Sequence, residues 1–387
     1  MKKIKLLRVI PSMDPKTGGP PNGIKYITPF LDELNIETTI VCLDNLDDEF
    51  IKKTSLNIVA LNENKTPWQY NSRLYNWFLN NLINYDAVTV HGIWLYHTYA
   101  VSKAVNTLRK TNELFKIKYF IYPHGMLDGY FQSNKARKLK ALRNYFYWHL
   151  VEYKNVAIAD GLIFTSEEEK NIAAKTFTNY KPKQKLNLGY GIDVPKNTFK
   201  QTDKKDYFVF LGRYDEKKGI DTIINAYKKL VQENSTIPKL VIAGPGLNAT
   251  YGQYTQRLVK DNNVLANYVE LKEMVSGEEK WNLLANAKAM ILWSHQENFG
   301  ISVAESLGLG VPILLSKQVN IWTEIVSNKA GLAEDDTEEN LIQVIKSFCK
   351  LSQNEYEQMC INAIKTYDNN YTPRLYAKRL HTILLRH

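Results

Sequence analysis

Short apolar runs of strand length alternate with amphipathic helical stretches along almost the whole of this 387-residue chain. In the first half the strand-like runs are Ile4–Ile10, Thr38–Leu43, Asn57–Leu61, Ala87–His91, Tyr119–Pro123, Gly161–Thr165 and Leu186–Gly189. Apolar residues at helical spacing mark segments near 22–34, 71–84, 97–110, 135–150 and 167–176. The second half repeats the theme with strands at Tyr207–Leu211, Leu240–Ala243, Tyr268–Leu271, Ala289–Trp293 and Ile313–Leu315. Its helical segments lie near 219–232, 252–260, 276–287, 301–309, 338–350 and 353–369. A strand can follow another in parallel only after a crossover, usually a helix, so this pattern dictates parallel sheets covered on both faces. The chain is too long for one core. We therefore expect an α/β protein of two Rossmann-like, doubly wound domains facing each other across a cleft. The polar stretch Asp193–Asp206 marks the linker. The expected division is a first domain over 1–193, a second over 194–368, and a C-terminal helix within 369–387 packing back on the first domain.

Composition narrows the class. The apolar runs fall short of the ~20 residues that span a bilayer, so no transmembrane helix is expected. The basic, briefly apolar N-terminus reads as a first strand and not as a signal peptide. Three cysteines, Cys42, Cys349 and Cys360, lack metal-ligand spacing and suit a reducing cytoplasm. The net charge of +10 is concentrated in the first half, where residues 101–150 hold ten basic and two acidic side chains. Such asymmetry suggests an anionic partner for that half. Within it, Lys135, Arg137, Lys138, Lys140 and Arg143 accompany Leu139, Leu142, Phe146 and Leu150 at helical spacing. That segment reads either as a lipid-facing surface with Tyr145 and Trp148 near the headgroups, or as a solvated helix packed on its sheet. No nucleic-acid recognition motif accompanies it, and nucleic acid is not expected as a partner.

The chemistry concentrates at strand ends, where doubly wound sheets bind ligands. Glu297 and Glu305 lie eight positions apart, with Asn298, Phe299 and Gly300 directly after the first. The strand-like run before them and the helical run after them put Glu297 on a loop and Glu305 inside the helix. The N–H groups of Asn298 to Ile301 would then form a helix N-terminus, which favours an anion. Each carboxylate has the chemistry to hold a pair of sugar hydroxyls. Upstream, Gly212 and Arg213 end a strand, and Lys218 and Gly219 open a helix. A planar guanidinium and an ammonium there suit a diphosphate, though the run reads equally as a charged surface turn. Gly244 and Gly246 permit close approach of a ligand to the backbone, and equally serve a tight turn. In the first half, Gly18 and Gly19 stand before a helix without completing a dinucleotide-binding fingerprint. His91 and His124 each end a strand before a glycine, where an imidazole can bond sugar hydroxyls or help a proton leave. No third ligand accompanies them at zinc spacing.

Glu297–Glu305, Gly212–Gly219 and Gly244–Gly246, in this order over about 207–335, resemble the retaining glycosyltransferases of family 4, which have the GT-B fold. His91-Gly92 with Trp94, and Pro123–Leu127, resemble members from bacterial polysaccharide and O-antigen assembly. The resemblance implies that Glu305 holds the donor ribose, and that Glu297 lies near the donor sugar. It implies N–H contacts from Phe299 and Gly300, diphosphate contacts from Arg213 and Lys218, a phosphate-side position for Gly19, and a contact between His124 and the transferring sugar. Catalytic candidates are thus Glu297, His124, Arg213 and Lys218. Donor-binding candidates are Gly19, Gly212, Arg213, Lys218, Gly244, Asn298, Phe299, Gly300 and Glu305. Trp293–Gln296 stands where the family often has Pro-Ser.

By that resemblance the chain moves a hexose from a UDP- or GDP-sugar to a hydroxyl of a lipid-linked or growing glycan in bacterial surface polysaccharide synthesis, retaining configuration. Front-face attack, with the leaving phosphate taking the proton, requires no enzyme nucleophile. No Asp-x-Asp motif is present, so neither metal nor another cofactor is expected beyond the nucleotide sugar as co-substrate. The expected location is cytoplasmic, with peripheral attachment to the inner face of the plasma membrane. The alternatives are a nucleotide-sugar epimerase on the same fold, or a non-catalytic basic protein binding membrane or nucleic acid.

Overall fold

The computed structural model describes residues 3–62, 66–133, 137–195 and 204–385, which form two compact units. One comprises residues up to Gly191 together with Pro373 onward, and the other Ile192–Thr372. Most of the linker candidate, residues 196–203, lies outside the described residues.

The first unit is built on seven parallel strands: β1 (Ile4–Val9), β2 (Ile36–Cys42), β3 (Ile58–Ala60), β4 (Ala87–His91), β5 (Lys118–Tyr122), β6 (Gly161–Phe164) and β7 (Lys185–Asn187). Their order is β3-β2-β1-β4-β5-β6-β7. Neighbouring residues of one strand enter different apolar clusters. Leu7, Val9, Val88, Val90, Tyr119 and Ile121 lie in one, and Leu6, Ala87, Phe120 and Tyr122 in another. Both sheet faces are therefore buried, which explains why these strands read as continuous apolar runs. The C-terminal helix Pro373–Leu385 covers part of the second face. Its Tyr376, Ala377, Leu380 and Leu384 pack with Ile27 and Leu31 of the helix Gly19–Asp32. Each such buried leucine stabilises the packing by about 1.5–3 kcal/mol.

The second unit has six parallel strands: β8 (Tyr207–Leu211), β9 (Lys239–Ala243), β10 (Val269–Lys272), β11 (Ala289–Leu292), β12 (Ile313–Ser316) and β13 (Gly331–Glu334). Their order is β10-β9-β8-β11-β12-β13. The chain winds outward from β8 to one side and from β11 to the other. The winding therefore reverses between β8 and β11, and the carboxyl ends of these two strands mark the switch point at which such sheets bind ligands.

The helix expected over 135–150 is divided differently. Lys138–Tyr147 is α-helical, Trp148–Glu152 is a π-helical turn, and Tyr153–Ile158 continues as α-helix. Trp148, the first residue of the π turn, points inward. Its ring stacks on Phe177 at 4.8 Å and its indole N–H donates to the Thr178 carbonyl at 2.7 Å. Trp148 is fully buried and cannot lie at a lipid surface as the sequence reading placed it. The short strand β13 and the helix Trp322–Ser327 were not expected.

Candidate active site

In the second unit, the loop after β8 runs from Gly212 through a 3-10 turn, Glu216–Lys218, into the helix Ile220–Gln232. Asp215 caps that turn by accepting from the Lys217 N–H at 3.1 Å. Gly219 has φ +62°, and a Cβ there would meet the Trp293 carbonyl oxygen at 2.3 Å. Only glycine admits this approach, so the loops after β8 and β11 touch backbone to backbone. The His295 N–H donates to the Lys217 carbonyl at 2.8 Å. Lys217 Nζ donates to Gln296 Oε1 at 3.3 Å, and Lys218 Nζ pairs with the Glu297 carboxylate.

Glu297 is held from the other side as well. Its N–H donates to the Gln318 carbonyl, and its own carbonyl accepts from the Asn320 N–H, both at 3.0 Å. Burial works to raise the Glu297 pKa, but Lys218, then Lys217, and the Phe299 N–H bonded to the carboxylate outweigh it and hold it below the ordinary value. Glu297 is thus an anion locked into its lysine pair. The Phe299 N–H, expected to face a ligand, is engaged here, while the Phe299 ring is buried edge-on against Tyr371 at 5.3 Å.

The helix Ile301–Gly308 starts from Gly300, whose backbone is left-handed and which gives no side-chain cap. The N–H groups of Gly300, Ile301 and Ser302 make no hydrogen bond among the described residues. Unpaired donors with the positive end of the helix dipole constitute an anion-ready surface. About one turn in, Glu305 is 8% exposed and pairs with Lys280 Nζ at 2.6 Å. Burial raises its pKa above the ordinary value, and Lys280 offsets only part of the effect. The two glutamates are therefore electrostatically unlike.

Arg213 is exposed and makes no hydrogen bond or ion pair among the described residues. Gly244 packs against the backbone of the residue before Arg213, because a Cβ there would lie 1.8 Å from the Gly212 carbonyl oxygen. The structure thus brings Lys218 onto Glu297, leaves Arg213 as an unengaged cation, and separates Glu305 onto its own lysine. Sequence reading missed Lys280, Lys217 and Gln296. Lys280 stands 25 residues before its partner on another helix, and nothing local marks the pair.

In the first unit, Gly19 begins the helix Gly19–Asp32, and its carbonyl accepts from Tyr190 Oη at 2.6 Å. His91 closes β4 and is 3% exposed, while His124 follows β5 with φ +51°. The two rings stack with Tyr122, at 4.6 Å and 5.6 Å from its centroid. His91 Nδ1 and His124 Nε2 are 3.0 Å apart. Burial, then the charge of Arg8, depresses His124 to about 3. It is a neutral imidazole at any physiological pH.

Comparison with known proteins adds the chemistry. Residues 193–366 match the family model of glycosyl transferases group 1. This match lies within the C-terminal unit and includes all the donor-side candidates except Gly19. An uncharacterised glycosyltransferase of Methanocaldococcus jannaschii is 30% identical over 148 residues, 38% of this chain and 34% of its own length. The first curated relatives are matched over only 19% to 34% of their length. A glycosyltransferase from Rickettsia africae superposes with TM-score 0.75 at 15% identity, covering 99% of this chain and 98% of its own. HepE of Anabaena, solved with UDP, superposes with TM-score 0.72 at 13% identity over 98% of this chain and 99% of its own. These neighbours establish the fold, two Rossmann-like parallel-sheet domains of GT-B type.

Proposed function

We propose that this protein is a retaining glycosyltransferase that moves a hexose from a nucleotide diphosphate sugar to a hydroxyl of a lipid-linked or growing glycan, as in bacterial surface polysaccharide synthesis. The observation that carries the donor half is the junction of the loops after β8 and β11. Uncapped helix N–H groups at Gly300–Ser302 and the unengaged Arg213 offer compensation for a diphosphate. UDP is favoured as the nucleotide by its presence in HepE. Glu305 serves the ribose, Glu297 lies toward the sugar with Lys218, and His124 contacts the transferring hexose. In this reading the leaving phosphate takes the acceptor proton, and neither metal nor a further cofactor takes part.

A thermal-shift series with UDP, GDP and their sugars tests the donor half, because a ligand at 100 times its Kd stabilises by about 2.7 kcal/mol. Stabilisation by UDP, lost in Arg213→Ala, is the expected result. No shift with any nucleotide would overturn it. Turnover of donor without acceptor, giving an epimerised sugar and no nucleotide release, would identify an epimerase instead.

Attachment to an anionic membrane belongs to the same reading. Leu139, Leu142, Phe146 and Leu150 are all exposed, at 56–85%, which supports this reading by leaving the stripe open to a lipid surface. Arg137, Lys138, Lys140 and Arg143 are exposed around them, matching the charge of an anionic headgroup layer. Lys135 lies outside the described residues. Among the described residues no helix is long and apolar enough to cross a membrane.

A further inference from the structure

Arg8 sits inside β1 with 2% of its surface exposed, on the same unit as His91 and His124. Its Nε lies 3.3 Å from His91 Nε2. A guanidinium has donors and no acceptor, so His91 Nε2 must be the bare, accepting nitrogen. A neutral His91 then carries its proton on Nδ1. That N–H points at His124 Nε2, 3.0 Å away, which must accept in turn. His124 is left with its own proton on Nδ1. Each hydrogen bond forces the next, and the direction is set by the one group that cannot reverse.

We propose that Arg8 is a positioning residue that fixes the tautomer of His124 through His91, so that His124 presents an Nδ1–H donor and has no free basic nitrogen. His124 borders a small cavity of about 20 Å³ that Arg8, His91, Tyr122 and Tyr190 also line. Its Nδ1 has no hydrogen-bond partner among the described residues. The ring stack with Tyr122 restrains both imidazole planes, and the Tyr122 hydroxyl is anchored on Tyr376 at 2.6 Å. Burial and the Arg8 charge keep both imidazoles neutral, which the relay requires. On the proposed function above, His124 therefore donates to a sugar oxygen and does not act as the base that removes an acceptor proton. This deepens that reading and rests on it only for the sugar contact.

His97 supplies an internal control. Its Nε2 lies 3.1 Å from the His91 carbonyl, an acceptor only, so His97 carries the opposite tautomer, Nε2–H.

Long-range proton–nitrogen correlation on protein labelled with 15N-histidine, with each signal assigned by a His→Gln variant, reads all three rings without substrate. The expected pattern is Nδ1–H at His91 and His124 and Nε2–H at His97, each preferred by about tenfold or more. Arg8→Met removes the donor, and His91 and His124 should become tautomer mixtures while His97 stays unchanged. Arg8→Lys, which also only donates, should restore the pattern. Turnover should follow, falling about tenfold or more in Arg8→Met through kcat and not KM, with recovery in Arg8→Lys. His124 found as Nε2–H in the wild type, or unchanged tautomers in Arg8→Met, overturns the relay. Should Arg8→Met fail to fold, the wild-type pattern decides alone. Expected tautomers with unimpaired turnover in Arg8→Met would instead overturn the sugar contact of His124 and leave the relay standing.

Discussion

Lys218 and Glu297 form an ion pair that ties the loop after β8 to the loop after β11, with side chains only 14% and 16% exposed. The strands they follow are the two from which the sheet winds in opposite directions. The pair therefore ties together the two sides of the switch point at the carboxyl end of this sheet. Because most of it is withdrawn from water, deleting one partner leaves the other charge poorly solvated. Such losses run to about 3–5 kcal/mol for fully buried pairs. Lys218→Met and Glu297→Gln should each cost about 2–4 kcal/mol in urea unfolding. The double variant should cost less than their sum, with a coupling of about 1–3 kcal/mol. Additive costs would show that the two side chains stabilise the loops independently.

The two glutamates should respond to acid with opposite sign. Glu297 has a folded pKa below its unfolded value, so its stabilisation is complete above the unfolded value and is lost as pH falls through the folded one. Glu305 has a folded pKa above its unfolded value, so ionising it disfavours folding. That penalty is present above its folded pKa and is relieved as pH falls through it. Melting temperatures between about pH 3 and pH 7 should therefore show a shallower acid loss in Glu297→Gln than in wild type, and a steeper one in Glu305→Gln. Parallel pH profiles in the two variants would contradict the assigned environments.

Much of the fold was legible because strands buried on both faces must be apolar throughout, and runs such as Leu240–Ala243 and Ala289–Leu292 state that directly. β13 was not legible, because only Gly331 of its four residues is buried, and it leaves no apolar run to read. The inward position of Trp148 was open to reading, because two residues after Phe146 it falls about 200° around an α-helix, opposite the stripe of Leu139, Leu142, Phe146 and Leu150. At the site, a loop position for Glu297 and a helical one for Glu305 follow from local pattern. Their lysines do not, since Lys218 and Lys280 reach them only through tertiary folding. Arg8 offered one signal, a cation set between the apolar residues Leu7 and Val9 of its strand.

Gly244 should tolerate no side chain. The Cβ of alanine would fall 1.8 Å from the Gly212 carbonyl oxygen, a backbone atom that cannot rotate away. Gly244→Ala must therefore push apart the turns after β8 and β9, costing about 1–3 kcal/mol as an overpacked site. Gly18→Ala provides the contrast, because its Cβ would meet nothing within 4 Å and only the positive φ of +114° opposes it. Chemical unfolding should show the larger loss at Gly244. A larger loss at Gly18 would mean that local φ strain, and not contact between the turns, governs these glycines.

Arg213 should separate binding from folding. It is exposed and unengaged among the described residues, so Arg213→Ala should leave stability within about 0.5 kcal/mol. If its guanidinium meets charge developing on the leaving diphosphate, transfer should fall by about 100-fold or more. Arg213→Lys should recover only part of this, because an ammonium lacks the planar fork. Full turnover in Arg213→Ala would remove the residue from the donor site.

The exposed stripe on Lys138–Tyr147 and the π turn after it gives a surface prediction. Phe146 and Leu150 are 57% and 68% exposed, so replacing both with serine removes no core contact and should leave the melting temperature unchanged. If these side chains enter the interface of an anionic bilayer while Arg137, Lys138, Lys140 and Arg143 meet the headgroups, the two contributions separate. Phe146→Ser with Leu150→Ser should weaken liposome binding at low and high salt alike. Charge reversal at Lys138 and Lys140 should weaken it only at low salt, at about 1 kcal/mol for each charge neutralised. Sedimentation with vesicles of anionic and of zwitterionic lipid measures both. Equal binding to the two vesicle types, unaffected by charge reversal, would show that the basic residues serve another purpose.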